Sequence, residues 1–574
     1  MEALISPYGG DLADLLAKPV RADELRRQAL TCPSLDLSWA QVCALELLLS
    51  GAYSPLGGFM GRADLQAVLA DLTLADGRPW PSPVMLSVGA DTAKRLRPGQ
   101  AVALRDGEGF MPAMLHVAEV WPAEPEAELA AAGAFPLPAP LAGPGEYFVA
   151  GRLEGLALPP RHDFLNLRHT PAQLREQFAR RGWRRILAYQ PSRPMHRLQR
   201  DFIVETAVAH EANVLIQVDA GSDPVADYGH IPLIRASQAL MPRLPGATSL
   251  LALSPQLHPP AGVRDIALRA IVARNYGCSL LLVGGEMRHA RSGRRGADIE
   301  WLLDSTDPAL VASPEHAAWS RLAAAVGVGL IPFPRLAYRE ETDQYVAADA
   351  CADASCRQVM RGEELIRRLC HGGRIPDWAS YPEVLAELAG AYPPRNRQGF
   401  TVFFTGLSGA GKSTLARALA VRLLELGGRR VTLLDGDVVR KHLSSELGFS
   451  REHRDINIRR IGFVASEITR HGGIAICAPI APYRATRADV RAMIGEWGGF
   501  IEIHVSTPIE VCEGRDRKGL YAKARAGIIP EFTGVSDPYE YPENPELAID
   551  TSQYGVDAAV QSIILKLEHE GYLL

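Results

Sequence analysis

The sequence predicts an α/β protein of several domains, with a β-rich domain first, a parallel α/β domain second and another α/β domain last. The chain has 574 residues, which is more than one hydrophobic core usually organises. Helix-like stretches alternate with short strand-like runs between about residues 160 and 345, a pattern typical of a parallel sheet. A buried-strand pattern at Phe400–Thr405 then leads directly into a glycine-rich loop and a helical pattern, which opens the last domain.

Changes in composition predict the domain boundaries. Residues 1–155 contain short apolar runs separated by Gly, Pro and Asp turns, which indicates a β-rich domain. Residues 156–345 form the parallel α/β domain, and residues 346–392 have the mostly helical pattern of a small subdomain. Residues 393–399 begin with two prolines and form a stiff polar linker, so the last domain covers residues 400–574.

Composition excludes several classes of function. The formal net charge is -5, so the chain lacks the basic surface of a nucleic-acid-binding protein, and no nucleic-acid partner is expected. Residues 1–20 carry acidic side chains and no continuous apolar run, which argues against a signal peptide. Residues 129–145 are apolar but contain four prolines, so they cannot form a membrane helix. We therefore expect a cytoplasmic protein without a membrane span.

The eight cysteines are too few for a disulfide framework in a chain of this length, and we expect them to be reduced. Cys351, Cys356, Cys370 and His371 are of the types that bind zinc, but their spacing fits no common zinc motif. Packing of a loop and a helix is the preferred interpretation of this group, and zinc is not expected.

One motif carries the strongest chemical signal. Residues 406–414 match the pattern G-x-x-x-x-G-K-S, between a strand pattern and a helical pattern, which disfavours a simple glycine-rich turn. Small residues let successive backbone N–H groups point at phosphates, and the helix N-terminus adds its positive dipole end. Lys412 would place its charge at the β- and γ-phosphates of ATP, and the Ser413 hydroxyl would bind Mg²⁺. The predicted ATP-binding set is Gly406, Ser408, Gly409, Ala410, Gly411, Lys412, Ser413 and Thr414.

Two carboxylates and several arginines follow this motif. Asp435 and Asp437 come at the end of the next strand pattern, where open α/β sheets bind their ligands. Asp435 would help to organise Mg²⁺ and Asp437 would accept the proton of an attacking hydroxyl, although Asp-Gly-Asp is also a common turn sequence. The absence of an Asn-Lys-x-Asp motif disfavours a GTPase. An anionic substrate would be met by Arg440, Arg454, Arg459, Arg460 and Arg484, although each alone could be a solvated surface residue.

Motifs spread over residues 400–574 resemble the adenylylsulfate (APS) kinase family. They are the glycine-rich loop, Asp435-Gly-Asp, Leu447-Gly-Phe-Ser, residues 454–460 (RDINIRR), residues 518–527 (KGLYAKARAG) and Phe532-Thr-Gly. The resemblance implies a kinase of sulfate assimilation. Such an enzyme uses ATP and Mg²⁺ to phosphorylate the 3′-hydroxyl of adenylylsulfate.

The same resemblance implies roles for individual residues. The adenylylsulfate-binding set would be Arg440, Phe449, Arg454, Asn457, Arg484, Lys518 and Phe532. Phe449 and Phe532 would sandwich the adenine ring, although both could be plain core residues. Arg515 would belong to a mobile lid that closes over ATP and excludes water. The chain departs from the family at Val438, where Asn is usual, and at Ala481, where Ser is usual.

Residues 1–390 resemble the ATP sulfurylase family, whose members join sulfate to the AMP part of ATP. The similarity lies in residues 54–60 (SPLGGFM), 163–171 (DFLNLRHTP) and 275–278 (NYGC). It implies a PUA-like fold for the β-rich domain and a nucleotidyltransferase-like, Rossmann-like fold for the α/β domain that follows. The combined resemblance also suggests a homo-oligomer, either a dimer or a hexamer.

The residues expected to carry sulfurylase chemistry differ from the family pattern. Ser192 stands where the family has a sulfate-binding Arg, Gln199 stands where it has the second His of H-x-x-H, and Gly285 replaces another Arg. Loss of one such charge-stabilising group commonly costs about 10²–10³ in rate. The predicted degenerate site consists of Gln190, Ser192, Arg193, His196, Gln199 and Gly285.

These departures lead to one prediction and two alternatives. We predict an APS kinase whose N-terminal half is inactive or altered and serves assembly or regulation. The first alternative is a fully bifunctional enzyme with a working sulfate adenylyltransferase, which the surviving Gln190, Arg193 and His196 would support. The second alternative is a P-loop kinase that phosphorylates another hydroxyl acceptor.

Overall fold

The computed structural model describes residues 4–133, 135–137, 139–221, 230–256, 263–284, 314–348, 351, 356–448, 450–516 and 519–574. The chain divides into two compact units, and each has a hydrophobic core of its own. The first unit consists of Met1–Ile366 and Ile375–Ala391, and the second of Arg367–Arg374 and Tyr392–Leu574. None of the described helices is long and apolar enough to cross a membrane.

The first unit begins with a six-stranded sheet in the order β1-β4-β5-β6-β2, with β3 also paired to β6. In β5, Ala113, Leu115 and Val117 face one core cluster while Met114 faces another, as the two-residue period of a strand requires. The predicted β-rich domain is confirmed. The strands are β1 Ser34–Asp36, β2 Gly58–Phe59, β3 Ser87–Gly89, β4 Ala101–Arg105, β5 Ala113–Pro122 and β6 Glu146–Gly155. The helices are α1 Pro19–Ala29, α2 Trp39–Leu49, α3 Arg62–Asp71, α4 Ala90–Ala93 and α5 Pro125–Ala131.

A parallel sheet of five strands follows in the same unit, in the order β11-β10-β7-β8-β9. Its strands are short apolar runs, as expected where helices cover both faces of a sheet. The predicted parallel α/β domain is confirmed. The strands are β7 Ile186–Tyr189, β8 Asn213–Asp219, β9 Ser249–Ser254, β10 Leu280–Val283 and β11 Gly329–Pro332. The helices are α6 Pro171–Arg180, α7 Arg197–Ala209, α8 His230–Leu240, α9 Val263–Asn275 and α10 Pro314–Val326.

The segment predicted as mostly helical also contains strands. A three-stranded antiparallel sheet is formed by β12 Leu336–Arg339, β13 Gln344–Ala347 and β14 Cys356–Gln358, before α11 Gly362–Cys370 and α12 Pro382–Ala391. Cys351 and Cys356 form a disulfide, so the expectation of reduced cysteines is wrong for this pair. Their Cα atoms lie 5.9 Å apart, a separation that disulfides normally span. Among the described residues, no group of three or more His, Cys, Asp or Glu side chains could hold a metal ion.

The second unit is built on a parallel sheet in the order β16-β17-β15-β18-β19. The strands are β15 Phe400–Thr405, β16 Val431–Asp435, β17 Ile474–Ala478, β18 Gly499–Val505 and β19 Leu547–Ile549. The longer helices are α13 Lys412–Leu426, α14 Gly436–Leu443, α15 Arg451–Arg470, α16 Arg484–Gly495 and α19 Val556–His569. Two short helices, α17 Ile509–Arg515 and α18 Leu520–Arg525, lie between β18 and β19 in the chain.

Helices pack on both faces of this sheet, and β15 lies at its centre. Phe400 and Phe404 belong to one core cluster, which also contains Leu415 and Leu419 of α13. Phe403 belongs to the cluster that contains Ile461 of α15. The alternation of β15 side chains thus places helices on opposite faces and leaves the carboxyl ends of the strands to form the site.

Candidate active sites

The glycine-rich loop joins β15 to α13, as predicted. Gly409 and Gly411 have φ angles of 76° and 104°, in the left-handed region that side chains disfavour. Lys412 is buried, and its Nζ donates to the carbonyls of Gly406 at 2.8 Å and Leu407 at 2.7 Å. Burial lowers the pKa of Lys412 to about 8, while Cys512 and Asp435 oppose the shift. The loop therefore holds a cation against its own carbonyls, and an incoming phosphate would compete for that cation.

Residues outside the loop brace its backbone. The Ala410 carbonyl accepts hydrogen bonds from Thr551 Oγ1 at 2.8 Å and Thr507 Oγ1 at 3.2 Å. Arg515 donates to Thr551, with its Nη1 2.7 Å from Thr551 Oγ1 and its Nη2 3.0 Å from the Thr551 carbonyl. This contact lies next to the loop, and the position of Arg515 at the ATP stays a prediction. Sequence reasoning missed both threonines, because they come from loops about 100 to 140 residues further along the chain.

The two candidate carboxylates follow β16. Asp435 ends the strand, is buried, and forms an ion pair with Arg417 at 3.7 Å. The Asp435 carboxylate and the Ser413 hydroxyl, in the first turn of α13, are the oxygen ligands that Mg²⁺ prefers. These donors fit the metal, provided that phosphates and waters complete its shell. Asp437 lies in α14, but its side chain is outside the described part of the structure.

Several predicted substrate residues lie on or beside α15. Arg454 Nη1 donates to Thr533 Oγ1 at 2.7 Å and pairs with Asp537 Oδ2 at 2.9 Å. Asn457, one turn further along the helix, is buried. In the described part of the chain, Arg454 Nε, Arg454 Nη2 and Asn457 Oδ1 are buried atoms with no hydrogen-bond partner. Phe532 begins the loop that carries Thr533 and Asp537. This region therefore offers donors and an acceptor for a ligand that is polar and anionic.

The remaining substrate residues are arranged differently. Arg440 Nη1 donates to the carbonyls of Leu447 and Gly448, the two residues before Phe449. Arg484 forms exposed contacts with the Tyr541 carbonyl and the Glu543 carboxylate, so its place at the substrate stays a prediction. Phe449, Lys518 and Gly285 lie outside the described residues.

In the first unit, the predicted degenerate site lies at the carboxyl end of β7. Gln190 is buried, donates from Nε2 to Gln217 Oε1 at 2.7 Å, and accepts from Arg269 at 3.4 Å. Arg269 in turn forms a buried ion pair with Asp219 at 2.6 Å. Gln217 Nε2 is a buried atom without a hydrogen-bond partner among the residues with described positions. The side chains here mainly satisfy one another.

The histidine of this site is also engaged in the fold. His196 Nδ1 lies 2.9 Å from Ser380 Oγ, and Gln199 Oε1 accepts from the His196 backbone N at 2.9 Å. Burial lowers the pKa of His196 to about 4. The imidazole is therefore neutral at pH 7, and the Gln199 side chain is engaged at the N-terminus of α7. Ser192 and Arg193 are half-buried in the loop before this helix.

Comparison with known proteins supports both resemblances. Three family models match the chain, namely a PUA-like domain at residues 5–157, ATP-sulfurylase at residues 165–391 and adenylylsulphate kinase at residues 398–550. The sulfate adenylyltransferases of Emericella nidulans and Phaeosphaeria nodorum are each 41% identical over 579 residues, which is 99% of this chain and 99% of their own length. The chain belongs to the ATP sulfurylase–APS kinase family.

A solved structure agrees with this membership of the ATP sulfurylase–APS kinase family. The hexameric APS kinase from Thiobacillus denitrificans is 48% identical, has a TM-score of 0.82, and covers 99% of this chain and 100% of its own. The predicted order of a PUA-like, a sulfurylase-type and a kinase domain is confirmed. This family member is a transferase with an adenylylsulphate kinase domain.

Proposed function

We propose that the second unit transfers the γ-phosphoryl group of ATP to the 3′-hydroxyl of adenylylsulfate. The observation that carries the proposal is Arg454, a half-buried cation whose Nε and Nη2 atoms are buried and have no hydrogen-bond partner among the residues described. It lies in the same α/β unit as the phosphate-binding loop, which supports an anionic acceptor rather than water. The kinase family match and the hexameric APS kinase as a structural relative support the same substrate.

In the proposed mechanism, the chain acts mainly by positioning and by electrostatic stabilisation. Lys412 would leave the loop carbonyls and follow the charge that develops on the β- and γ-phosphate oxygens. Mg²⁺, held by Ser413 and organised by Asp435, would supply further neutralisation of that charge. Asp437 would accept the proton of the 3′-hydroxyl as the hydroxyl oxygen attacks the γ-phosphorus.

The test is an assay of full-length protein with MgATP, with and without adenylylsulfate. We expect ADP formation that depends on adenylylsulfate, and one equivalent of 3′-phosphoadenylylsulfate for each ADP. A kinase that phosphorylates another hydroxyl acceptor would form ADP at a rate that does not depend on adenylylsulfate. That outcome would replace the proposed substrate.

We further propose that the first unit does not act as a sulfurylase and serves assembly or regulation. The supporting observation is His196, which is buried, neutral and hydrogen-bonded to Ser380. A neutral imidazole adds no positive charge to a transition state at the α-phosphorus, and Ser192 adds none either. The rival function, sulfate adenylyltransferase, is favoured by the names of the relatives that are 41% identical.

Sulfate-dependent release of pyrophosphate from ATP separates these two functions. It should be measured on the same preparation that shows kinase activity, so that misfolded protein is excluded. At millimolar sulfate, we expect the rate of pyrophosphate release to equal the rate measured without sulfate. A clear sulfate-dependent rate would establish a bifunctional enzyme. Light scattering of the same preparation would test the expected homo-oligomer, dimer or hexamer, for which the hexameric relative is the support.

A further inference from the structure

The loop of residues 532–537 brings an acidic side chain to the helix that carries Arg454. Asp537 Oδ2 lies 2.9 Å from Arg454 Nη1 and also accepts a hydrogen bond from the Tyr483 hydroxyl at 2.7 Å. Tyr483 directly precedes α16, so side chains from three separate parts of the chain meet at one carboxylate oxygen. The Arg454 guanidinium carbon also lies 5.6 Å from the centre of the Tyr483 ring.

The contacts divide the Arg454 guanidinium into two sides. Nη1 is engaged, because it donates to Thr533 Oγ1 and forms an ion pair with Asp537 Oδ2. Nε and Nη2 are buried and lack a hydrogen-bond partner among the residues that the structure describes. The Glu531 carboxylate is 3.9 Å from Nη2, beyond hydrogen-bond distance, and its side chain is exposed. A guanidinium is planar, so fixing Nη1 also fixes the direction of the side formed by Nε and Nη2.

We propose that Asp537, held by the Tyr483 hydroxyl, is a positioning residue that directs Nε and Nη2 of Arg454 toward the anionic group of the acceptor substrate. The inference rests on the proposed function, because it requires that Arg454 binds that substrate. A bidentate donor pair of this kind suits a phosphate or sulfate group. Asp537 itself touches no substrate in this arrangement.

The Tyr483 hydroxyl is in the protonated form that it needs to donate to Asp537. Burial raises the pKa of Tyr483, and its hydrogen bond to Asp537 raises it further, so the hydroxyl keeps its proton and donates. Arg451 also lies over the Tyr483 ring, with its guanidinium carbon 4.6 Å from the ring centre. The described side chains that contact Asp537 Oδ2 are thus a cation, Arg454, and a hydroxyl donor, Tyr483.

The loop itself does not depend on the Asp537 side chain. Backbone hydrogen bonds close it, from Gly534 N to the Asp537 carbonyl at 2.7 Å and from Asp537 N to the Phe532 carbonyl at 3.1 Å. The Phe532 N donates to Ser536 Oγ at 2.8 Å. Asp537→Asn keeps the shape of the side chain, so it should remove the charge and leave the loop folded.

The test measures steady-state kinetics of full-length protein with each substrate varied in turn. For Asp537→Asn we expect KM for adenylylsulfate to rise about tenfold, with kcat and KM for ATP changed less than about twofold. Tyr483→Phe keeps the ring and removes the hydroxyl, so a rise of about threefold is expected. Asp489→Asn is the matched control, since Asp489 forms an exposed pair with Arg459 of the same helix, and we expect no change.

A double-mutant cycle distinguishes positioning from a general structural effect. If Asp537 acts through Arg454, Asp537→Asn should cause no further loss of kcat/KM for adenylylsulfate when Arg454 is already Ala. Additive losses, or equal changes in the KM for both substrates, would overturn the inference. The inference would also be overturned if the wild-type protein phosphorylated adenylylsulfate and the Asp537→Asn variant had the same kinetic constants. The proposed function would then remain intact. A wild-type protein that does not phosphorylate adenylylsulfate would overturn both.

Discussion

The phosphate-binding loop and the sulfurylase-like site both lie at the carboxyl ends of parallel strands, but their polar side chains are satisfied to different extents. In the second unit, Lys412 Nζ donates to two loop carbonyls, and Arg454 keeps two nitrogens that have no hydrogen-bond partner among the described residues. In the first unit, Gln190 bonds to Gln217 and His196 bonds to Ser380, and among the described residues of this cluster one buried donor, Gln217 Nε2, has no hydrogen-bond partner. A site kept for a ligand retains groups that the ligand would satisfy, whereas a site absorbed into the fold satisfies them internally.

This difference also explains how a family member can keep the sulfurylase fold after its motifs have changed. Gln199 stands where a second histidine is expected, and its Oε1 accepts from the His196 backbone N. The Gln199 side chain therefore stabilises the N-terminus of α7. Substitution of a catalytic side chain is tolerated when the new side chain satisfies the surrounding backbone.

The largest expected effect is that of Lys412→Ala on kinase activity. The variant removes the charge that would follow the transferring phosphoryl group, so we expect kcat/KM to fall about 10³-fold. Phosphorylation of adenylylsulfate would be measured by coupled release of ADP. Arg422→Ala is the matched control, because Arg422 is an exposed cation of the same helix that pairs with Glu425. Activity of Lys412→Ala within a few-fold of wild type would remove the basis of the proposed mechanism.

The next largest effect is expected on the free energy of unfolding of the first unit. Asp219→Asn removes the negative charge of the buried ion pair with Arg269, which should cost about 3 kcal/mol in the free energy of unfolding. Seven of the eight tryptophans precede residue 400, so denaturation followed by tryptophan fluorescence reports mainly on this unit.

Asp23→Asn is the control for that variant. Asp23 and Arg26 form an exposed ion pair in the same unit, and its loss should change the free energy of unfolding by less than about 0.5 kcal/mol. If Asp219→Asn is as stable as wild type, the polar cluster around Gln190 does not stabilise the fold. The idea that it has been absorbed into the structure would then fail.

Sequence reasoning predicted the architecture and the loop better than the contacts around them. The strand, loop and helix at residues 400–426 follow from local pattern, because a phosphate loop is encoded in one continuous segment. Asp537 and Thr551 were missed, since each contacts its partner only after the chain has folded. Thr533, in the same loop as Asp537, is already 79 residues from Arg454 along the chain. The Cys351–Cys356 disulfide and the strands β13 and β14 were missed for a similar reason, because pairing depends on tertiary context.

A smaller effect is expected from pH on nucleotide binding. The Lys412 ammonium binds phosphate, and its pKa in the free protein is about 8, so phosphate would raise that pKa on binding. Affinity for ATP should therefore be constant below pH 8 and fall above it, by up to roughly tenfold for each pH unit. Calorimetric titration with MgATP between pH 7 and 9.5 would measure this. An affinity that rises above pH 8 would contradict a protonated Lys412 at the phosphates.

The smallest effect tests whether His196 has a structural role. Ser380→Ala removes the hydroxyl 2.9 Å from His196 Nδ1 and leaves a buried ring nitrogen unsatisfied, so the first unit should lose about 1 kcal/mol of stability. Ser50→Ala is the control, because its hydroxyl lies 3.4 Å from the Leu47 carbonyl and contributes little. Kinase activity should not change in either variant. If Ser380→Ala instead abolished a sulfate-dependent release of pyrophosphate, then the contact would orient a working histidine, and the two sites would be alike after all.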